Sequence, residues 1–224
     1  MRALLICSVV LSALAGVAAA DWSDDFDSYA TGGLHGLGGW AGWGNDQQFD
    51  AVVTDSISCS SPNSIKIIPT TDIVREFDES TGSWSVSAMQ YIPGGGTGDQ
   101  FFIMHNAYIP GGSFSCAHDI IFHLSTGTLE FAQSGRSASI IRDQWIEIRV
   151  EIDLDGNTQE AFYNNVSLGS AAWASSGPVE IATIDLFSYG ASPVFYDDIS
   201  MESVPGSLYT CSWGIVKSAC HTVE

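Results

Sequence analysis

Apolar and charged residues alternate without a break from Trp145 to Leu154: Ile146, Ile148, Val150, Ile152 and Leu154 interleave with Glu147, Arg149, Glu151 and Asp153. A period of two predicts a strand with one face on a core and the other in solvent. Asp155-Gly156-Asn157 then reads as a tight turn, and Thr158 to Asn164 returns as the partner strand. Shorter runs of the same kind predict strands at Ser64–Ile68, Ile73–Phe77, Trp84–Ile92, Gln100–Ile109, Asp119–Leu124, Thr128–Ala132, Val179–Ser188 and Val194–Glu202. Turn formers separate them, among them Gly82, Pro93 to Gly96, Pro110 to Gly112 and Ser125 to Gly127. No segment holds a 3.6-residue period. About ten short strands without helices predict an all-β fold, a two-sheet antiparallel sandwich with jelly-roll connections.

Three stretches depart from this pattern. Met1-Arg2 leads into an apolar run ending in Ala18-Ala19-Ala20, the layout of a secretory signal with cleavage before Asp21. Thr31 to Asn45 is dominated by glycine and predicts a long loop pinned by Trp40 and Trp43. Beyond Glu202, Ser203 to Gly206 breaks the last strand and opens a tail carrying Cys211, Trp213 and Cys220. The expected organisation is a signal at 1–20, one sandwich at 21–202 and a disulfide-clipped tail at 203–224, with no membrane span after signal cleavage. The expected location is extracellular or at the cell surface.

Charge narrows the possible partners. Seven basic residues, one of which (Arg2) leaves with the signal, face 26 acidic ones. Such a chain cannot neutralise phosphates, which excludes nucleic acid as a partner. Export also bears on the cysteines. Cys59, Cys116, Cys211 and Cys220 remain after cleavage and allow three pairings. The short local loop with Gly214 favours Cys211–Cys220, which leaves Cys59–Cys116. Zinc is the weaker alternative, because there is no C-x-x-C and the five histidines are scattered; His118 and His123 fall on opposite faces of a strand.

DDFDSY near the start, GGLHGLGGWAGW after it, DQWIEIRVEIDLDGNTQ with FYNN, and IDLFSYGASPVFYDDIS together resemble the concanavalin A-like lectin/glucanase superfamily, and more narrowly secreted bacterial laminin-G-like domains. The resemblance spans about Asp24 to Met201. It implies a jelly roll used to bind or to cleave polysaccharide, and fold by itself does not choose between the two. Glucanases of that superfamily carry two glutamates flanking an aspartate on one strand, one as nucleophile and one as general acid. Glu151, Asp153 and Asp155 are similar, but the last is one methylene shorter and falls in the turn. A solvated strand face is the expectation, and a non-catalytic domain with it; a hydrolase or lyase with a divergent site is the alternative.

Two kinds of ligand remain. Asp24 and Asp25 on the first strand and Asp197 and Asp198 on the last form acid clusters on elements that commonly neighbour each other in such sandwiches. By alternation Asp197 shares a face with Phe195, Ile199 and Met201, the core side, where a bare carboxylate is costly. A structural Ca²⁺ is the expected counter-ion. For an extracellular polysaccharide or glycoconjugate, the candidates are Trp40, Trp43, Gln90, Tyr91, His105, Asn106 and Tyr108, which offer aromatic platforms and planar polar groups. Trp40 serves equally well as a core anchor. Asn165-Val166-Ser167 is a glycosylation sequon. A structural role in an extracellular coat or matrix is the other non-catalytic expectation, resting on the acidic surface.

Overall fold

The computed structural model describes residues 22–204. Its strands in chain order are β1 (Trp22–Asp24), β2 (Gly32–Gly33), β3 (Trp40–Gly42), β4 (Val52–Thr54), β5 (Ser64–Ile67), β6 (Asp72–Glu79), β7 (Ser83–Tyr91) and β8 (Asp99–Tyr108). There follow β9 (Phe114–His123), β10 (Thr128–Phe131), β11 (Arg136–Ser139), β12 (Trp145–Asp153), β13 (Thr158–Tyr163), β14 (Val166–Ala172), β15 (Ile181–Tyr189) and β16 (Val194–Val204). One sheet has nine strands, ordered β14-β13-β12-β7-β16-β5-β4-β2 with β1 also paired to β16; the other has seven, ordered β11-β10-β9-β8-β15-β6-β3. All pairings are antiparallel, so the fold is the expected two-sheet sandwich.

The alternation of β12 does what the sequence pattern requires. Ile146, Ile148, Val150 and Ile152 are buried, while Glu151 is exposed. Opposite them in the seven-stranded sheet, Phe102, Met104, Ile120, Phe122, Ile184 and Leu186 close the core at 0% exposure. Burying each such side chain contributes about 1.5–3 kcal/mol. The hairpin from β13 to β14 turns on Asn164 and Asn165, both at positive φ (50° and 60°), the conformation a two-residue hairpin loop needs. Asn165 is exposed there.

Beyond the first strand at Asp24, five strands were not foreseen: β2, β3, β4, β11 and β14. They are short or rich in glycine, serine and alanine, and their order comes from ladder hydrogen bonds to longer neighbours rather than from their own side chains. The glycine-rich segment therefore contains β2 and β3. β16 runs on through Val204, two residues past the expected break. β9 starts at Phe114, so Cys116 lies inside a strand.

The expected Cys59–Cys116 bridge is not formed. Both thiols are free, with Cys59 in the loop before β5 of one sheet and Cys116 in β9 of the other. The Cys59 thiol lies against the Asp198 carboxylate, and burial first, then Asp198, pushes it up to about 11. The Cys116 sulfur turns under its own strand to the His118 carbonyl at 3.3 Å. Cys211 and Cys220 lie outside the described residues, as do the signal and all but the first two residues of the tail.

Candidate functional site

In an antiparallel sheet, directly opposed residues share a face. On the outer side of the seven-stranded sheet this rule builds a set of rows. Thr183 of β15 faces His105 of β8, which faces Cys116 of β9. In the next row Val74 of β6, Asp185, Ile103 and Asp119 stand side by side. Asp72, Phe187, Phe101 and Ile121 form the third row, and Tyr189, Asp99 and His123 the fourth.

The first row is roofed by aromatic rings. The turn at Trp43–Asn45 leaves β3 and carries the Trp43 ring to 5.6 Å from His105, 4.9 Å from Tyr108 and 5.0 Å from Phe114. Gly44 makes this possible: its φ of 65° suits glycine, and its N–H donates to the Tyr108 hydroxyl at 2.9 Å. A Cβ on Gly42 would collide with the Asp46 carbonyl, which fixes the same turn from the other side. Under the roof His105 is buried and shares a 2.7 Å hydrogen bond between Nδ1 and the Thr183 hydroxyl. Desolvation lowers its pKa to about 4, so the ring is neutral at physiological pH.

The acid row behaves in the opposite sense. Asp185 is 3% exposed. Burial pushes its carboxyl well above the ordinary range, and the neighbouring Asp72 charge adds to the effect. Asp72 lies within hydrogen-bonding reach of Asp185 and is raised to about 6 by desolvation, against the pull of that bond. Asp119 is raised to about 6 by desolvation and then by Glu130. The physical picture is one proton shared by Asp72 and Asp185, with Asp119 beyond Ile103. Oδ1 of Asp119 is buried without a protein donor, and Oδ1 of Asp72 and of Asp185 has no donor beyond the carboxyl it neighbours. The third and fourth rows provide further rings: Phe101 and Phe187 have centroids 5.3 Å apart, and Tyr189 is 72% exposed beside them. Asp99 holds His123 at 2.9 Å.

Of the residues singled out from sequence, Trp43, His105 and Tyr108 come together here. The others do not join them. Trp40 is a core residue whose indole N–H donates to Asp24 at 3.0 Å. Gln90 points inward and donates to the Tyr196 hydroxyl at 2.6 Å. Asn106 is buried and ties down the loop after β14 through the carbonyls of Ser176 and Pro178. Tyr91 stands on the outer side of the other sheet with Trp145 and Phe195. Asp72, Asp119 and Asp185, which give the site its character, were not among the candidates. A signal for two of them was present: Ile184-Asp185-Leu186 and Asp119-Ile120-Ile121 each set one acid in an apolar strand.

The four acids expected to hold Ca²⁺ each accept at least one hydrogen bond from a protein donor. Asp24 accepts from the Phe26 N–H, the Tyr29 hydroxyl and the Trp40 indole at 2.8–3.0 Å. Asp25 accepts from the Asp27 N–H at 3.1 Å. Asp197 accepts from the N–H groups of Cys59, Ser60 and Asp198, and Asp198 accepts from the Ser60 hydroxyl. A bulge with Asp198 at φ 45° shifts the phase of β16, so Phe195 faces outward while Ile199 and Met201 face the core. Asp197 is thus buried by the Cys59–Ser60 loop rather than by the core. Among the described residues no three histidine, cysteine or acidic side chains are grouped as a metal site requires.

Glu151 and Asp153 line a cleft of about 480 Å³ on the outer side of the nine-stranded sheet, with Ser83, Ser85, Glu160 and Ser170. Glu151 is exposed and paired with Arg149, Asp153 accepts from the Gly156 N–H at 3.0 Å, and Asp155 accepts from the Gly82 N–H at the rim. The three acids of the glucanase-like motif are therefore bound up in local contacts. His105 and His118 are both buried, His118 with Nδ1 bonded to Gln159.

No family model and no curated protein matches the sequence. Solved structures do. A sialidase matches with a TM-score of 0.59 and 10% identity over 84% of this chain and 19% of its own. The Trypanosoma rangeli sialidase in complex with 2,3-difluorosialic acid matches with a TM-score of 0.50 and 9% identity, over 70% of this chain and 28% of its own. A carbohydrate-binding module, CBM66 from Bacillus subtilis, aligns at a TM-score of 0.49 and 11% identity over 74% of this chain and 96% of its own. The chain thus spans less than a third of the length of either sialidase. Likeness at such identity is likeness of fold, and here it is a β-sandwich. Among the described residues no helix is long and apolar enough to cross a membrane.

Proposed function

We propose that this chain is an exported, non-catalytic glycan-binding domain of the concanavalin A-like, laminin-G-like type, with its ligand lying across the outer face of the seven-stranded sheet. The observation that carries the reading is the row arrangement: Asp72, Asp119 and Asp185 stand between one end roofed by Trp43, Tyr108 and Phe114 and another formed by Phe101, Phe187 and Tyr189. Sugars present apolar ring faces and hydroxyl donors together, and this surface offers the complement of both. Four residues of strand separate His105 from Phe101, about 14 Å, a length for a short oligosaccharide rather than one sugar.

Binding suits the carboxyls better than hydrolysis does. A retaining glycosidase holds its two carboxyls about 5 Å apart and an inverting one further. Asp72 and Asp185 instead lie within hydrogen-bonding reach of each other, closer than either arrangement. The test is affinity electrophoresis through gels containing soluble polysaccharides. Wild type is expected to be retarded by at least one, and Trp43→Ala and Tyr189→Ala to migrate freely in that gel while keeping the wild-type circular dichroism spectrum. Unchanged retardation of both variants overturns the assignment of the face.

A further inference from the structure

Three aromatic rings and a lysine form one row on the outer side of the nine-stranded sheet. Lys66 of β5 is opposed to Phe195 of β16, Phe195 to Tyr91 of β7, and Tyr91 to Trp145 of β12, so all four share that face. The rings touch: the Tyr91 centroid is 5.6 Å from that of Trp145 and 6.2 Å from that of Phe195. At the Lys66 end the row runs into a cavity of about 350 Å³, where the sheet meets the β7–β8 loop. Lys66 and Phe195 are two of its walls, and Ile92, Leu124, Ser192 and Pro193 are others. Gly96 fits between two of these walls because it has no side chain: a Cβ there would stand 3.2 Å from Leu124 Cδ1 and 3.3 Å from Ser192 Cβ.

Charge at this cavity runs against the rest of the chain. The protein has 26 acidic residues and seven basic ones. Among the described residues the cavity's only ionisable wall is nevertheless Lys66. No carboxylate of the described residues lies within ion-pair distance of Lys66 or of Arg142. The Arg142 guanidinium donates to the carbonyls of Pro93 and Leu124, both cavity residues, and so sets a second positive charge behind the same walls. Asp143, the acid tied to this loop, is exposed to water and accepts the Gly94 N–H at 2.8 Å.

A largely apolar cavity of a few hundred Å³ with one charged group is the usual form of a small-ligand site. An anion gains a partner at Lys66, and a flat apolar body gains Phe195, Ile92 and Leu124. A polyanionic chain gains less, because beyond a Debye length of about 8 Å it meets the acidic remainder of the surface. A neutral sugar leaves the lysine unused and finds only the Ser192 hydroxyl among the named wall side chains. The geometry points to a second ligand site, apart from the face assigned to glycan: the cavity takes a small aromatic carboxylate, its carboxylate on the Lys66 ammonium and its ring against Phe195. The inference goes beyond the glycan reading and does not depend on it.

Backbone NMR of the whole chain at neutral pH tests this with four probes: 3-phenylpropanoate, its amide, acetate and galacturonate. 3-Phenylpropanoate is expected to shift Lys66, Gly94 to Gly96 and Phe195 with a dissociation constant of about a millimolar, and the other three to bind at least about tenfold more weakly. Lys66→Met, with its melting curve recorded, should cost about tenfold in affinity, and Lys66→Arg should restore most of it. Arg136→Met, which removes the same charge from the edge of the other sheet, should leave affinity unchanged. Equal binding of the amide overturns the proposal, and so does equal binding of acetate or galacturonate, because the site would then read only a ring or only a charge. Absence of shifts at these residues overturns it as well. Retardation in polysaccharide gels is expected to survive Lys66→Met, so a failure here leaves the glycan reading standing.

Discussion

Two buried carboxylates in this sandwich have opposite surroundings. Asp24, at the end of β1, is met by a backbone N–H, a tyrosine hydroxyl and an indole N–H. Asp185, in the middle of β15, is more deeply buried but finds only Asp72, another acid. Burial alone therefore does not say what a carboxylate is for. The donors around it do: Asp24 ties the first strand to Trp40 and the core, while Asp185 is held in a state that costs stability. Glu151, exposed on the other sheet and paired with Arg149, is a third setting in which water does most of the solvating.

The contrast is sharpened first at Asp24. Asp24→Ala leaves three donors without an acceptor, and should lower stability by about 3 kcal/mol in urea unfolding. A change below about 1 kcal/mol would mean that Asp24 is no hub.

Asp185→Asn should do the reverse. A carboxyl raised in the folded state contributes stability that is fully present below its ordinary unfolded value and is lost as pH rises through the folded one. For Asp72 and Asp119 the loss runs from the ordinary carboxylate range up to about 6, and for Asp185 it extends well above that ordinary range. Wild type should therefore weaken between about pH 5 and pH 8. Asp185→Asn removes part of that slope, and should be more stable than wild type by about 1–2 kcal/mol at pH 8, with the gap closing at pH 5. Denaturant midpoints at the two pH values measure it. A variant less stable than wild type at pH 8 would break the distinction from Asp24.

Smaller effects follow on the two outer faces. Tyr189→Ala should cost about tenfold in glycan affinity while changing stability by less than about 0.5 kcal/mol, because the side chain is largely in solvent. Glu151→Gln should alter stability by no more than about 0.5 kcal/mol and leave affinity unchanged. Neither that variant nor wild type should release reducing ends from laminarin, agarose, carrageenan or xylan. Release by wild type that vanishes in Glu151→Gln would restore the hydrolase alternative. Calcium should matter least of all. With the oxygens of Asp24 and Asp197 already taken by N–H and O–H donors, millimolar Ca²⁺ after chelation should leave the melting temperature where it was.

The sandwich was legible because Ile146 to Leu154 and strands like it bury one face, and burial of one face enforces a period of two. β14 was not, since Val166 to Ala172 has little apolar area of its own and is ordered by pairing to β13. The site was half legible. Trp43, His105 and Tyr108 stand out by residue type, but alternation gives only the face of a residue, not its neighbours across the sheet. Asp72, Asp119 and Asp185 are far apart in sequence and meet only through the β6-β15-β8-β9 register. Asp197 was misplaced for the complementary reason: a single bulge at Asp198 resets the phase, and nothing local in Tyr196-Asp197-Asp198 announces it.

The central claim is that glycan lies across the outer face of the seven-stranded sheet. Backbone and aromatic side-chain NMR of labelled protein, titrated with whichever gel polysaccharide retards it, supplied as its oligosaccharide, tests this most directly. The account predicts shifts confined to the Trp43 indole, His105, the strands carrying Asp185 and Asp119, and Tyr189. Shifts centred instead on Ser85, Glu151 and Glu160, in the cleft of the other sheet, would contradict it.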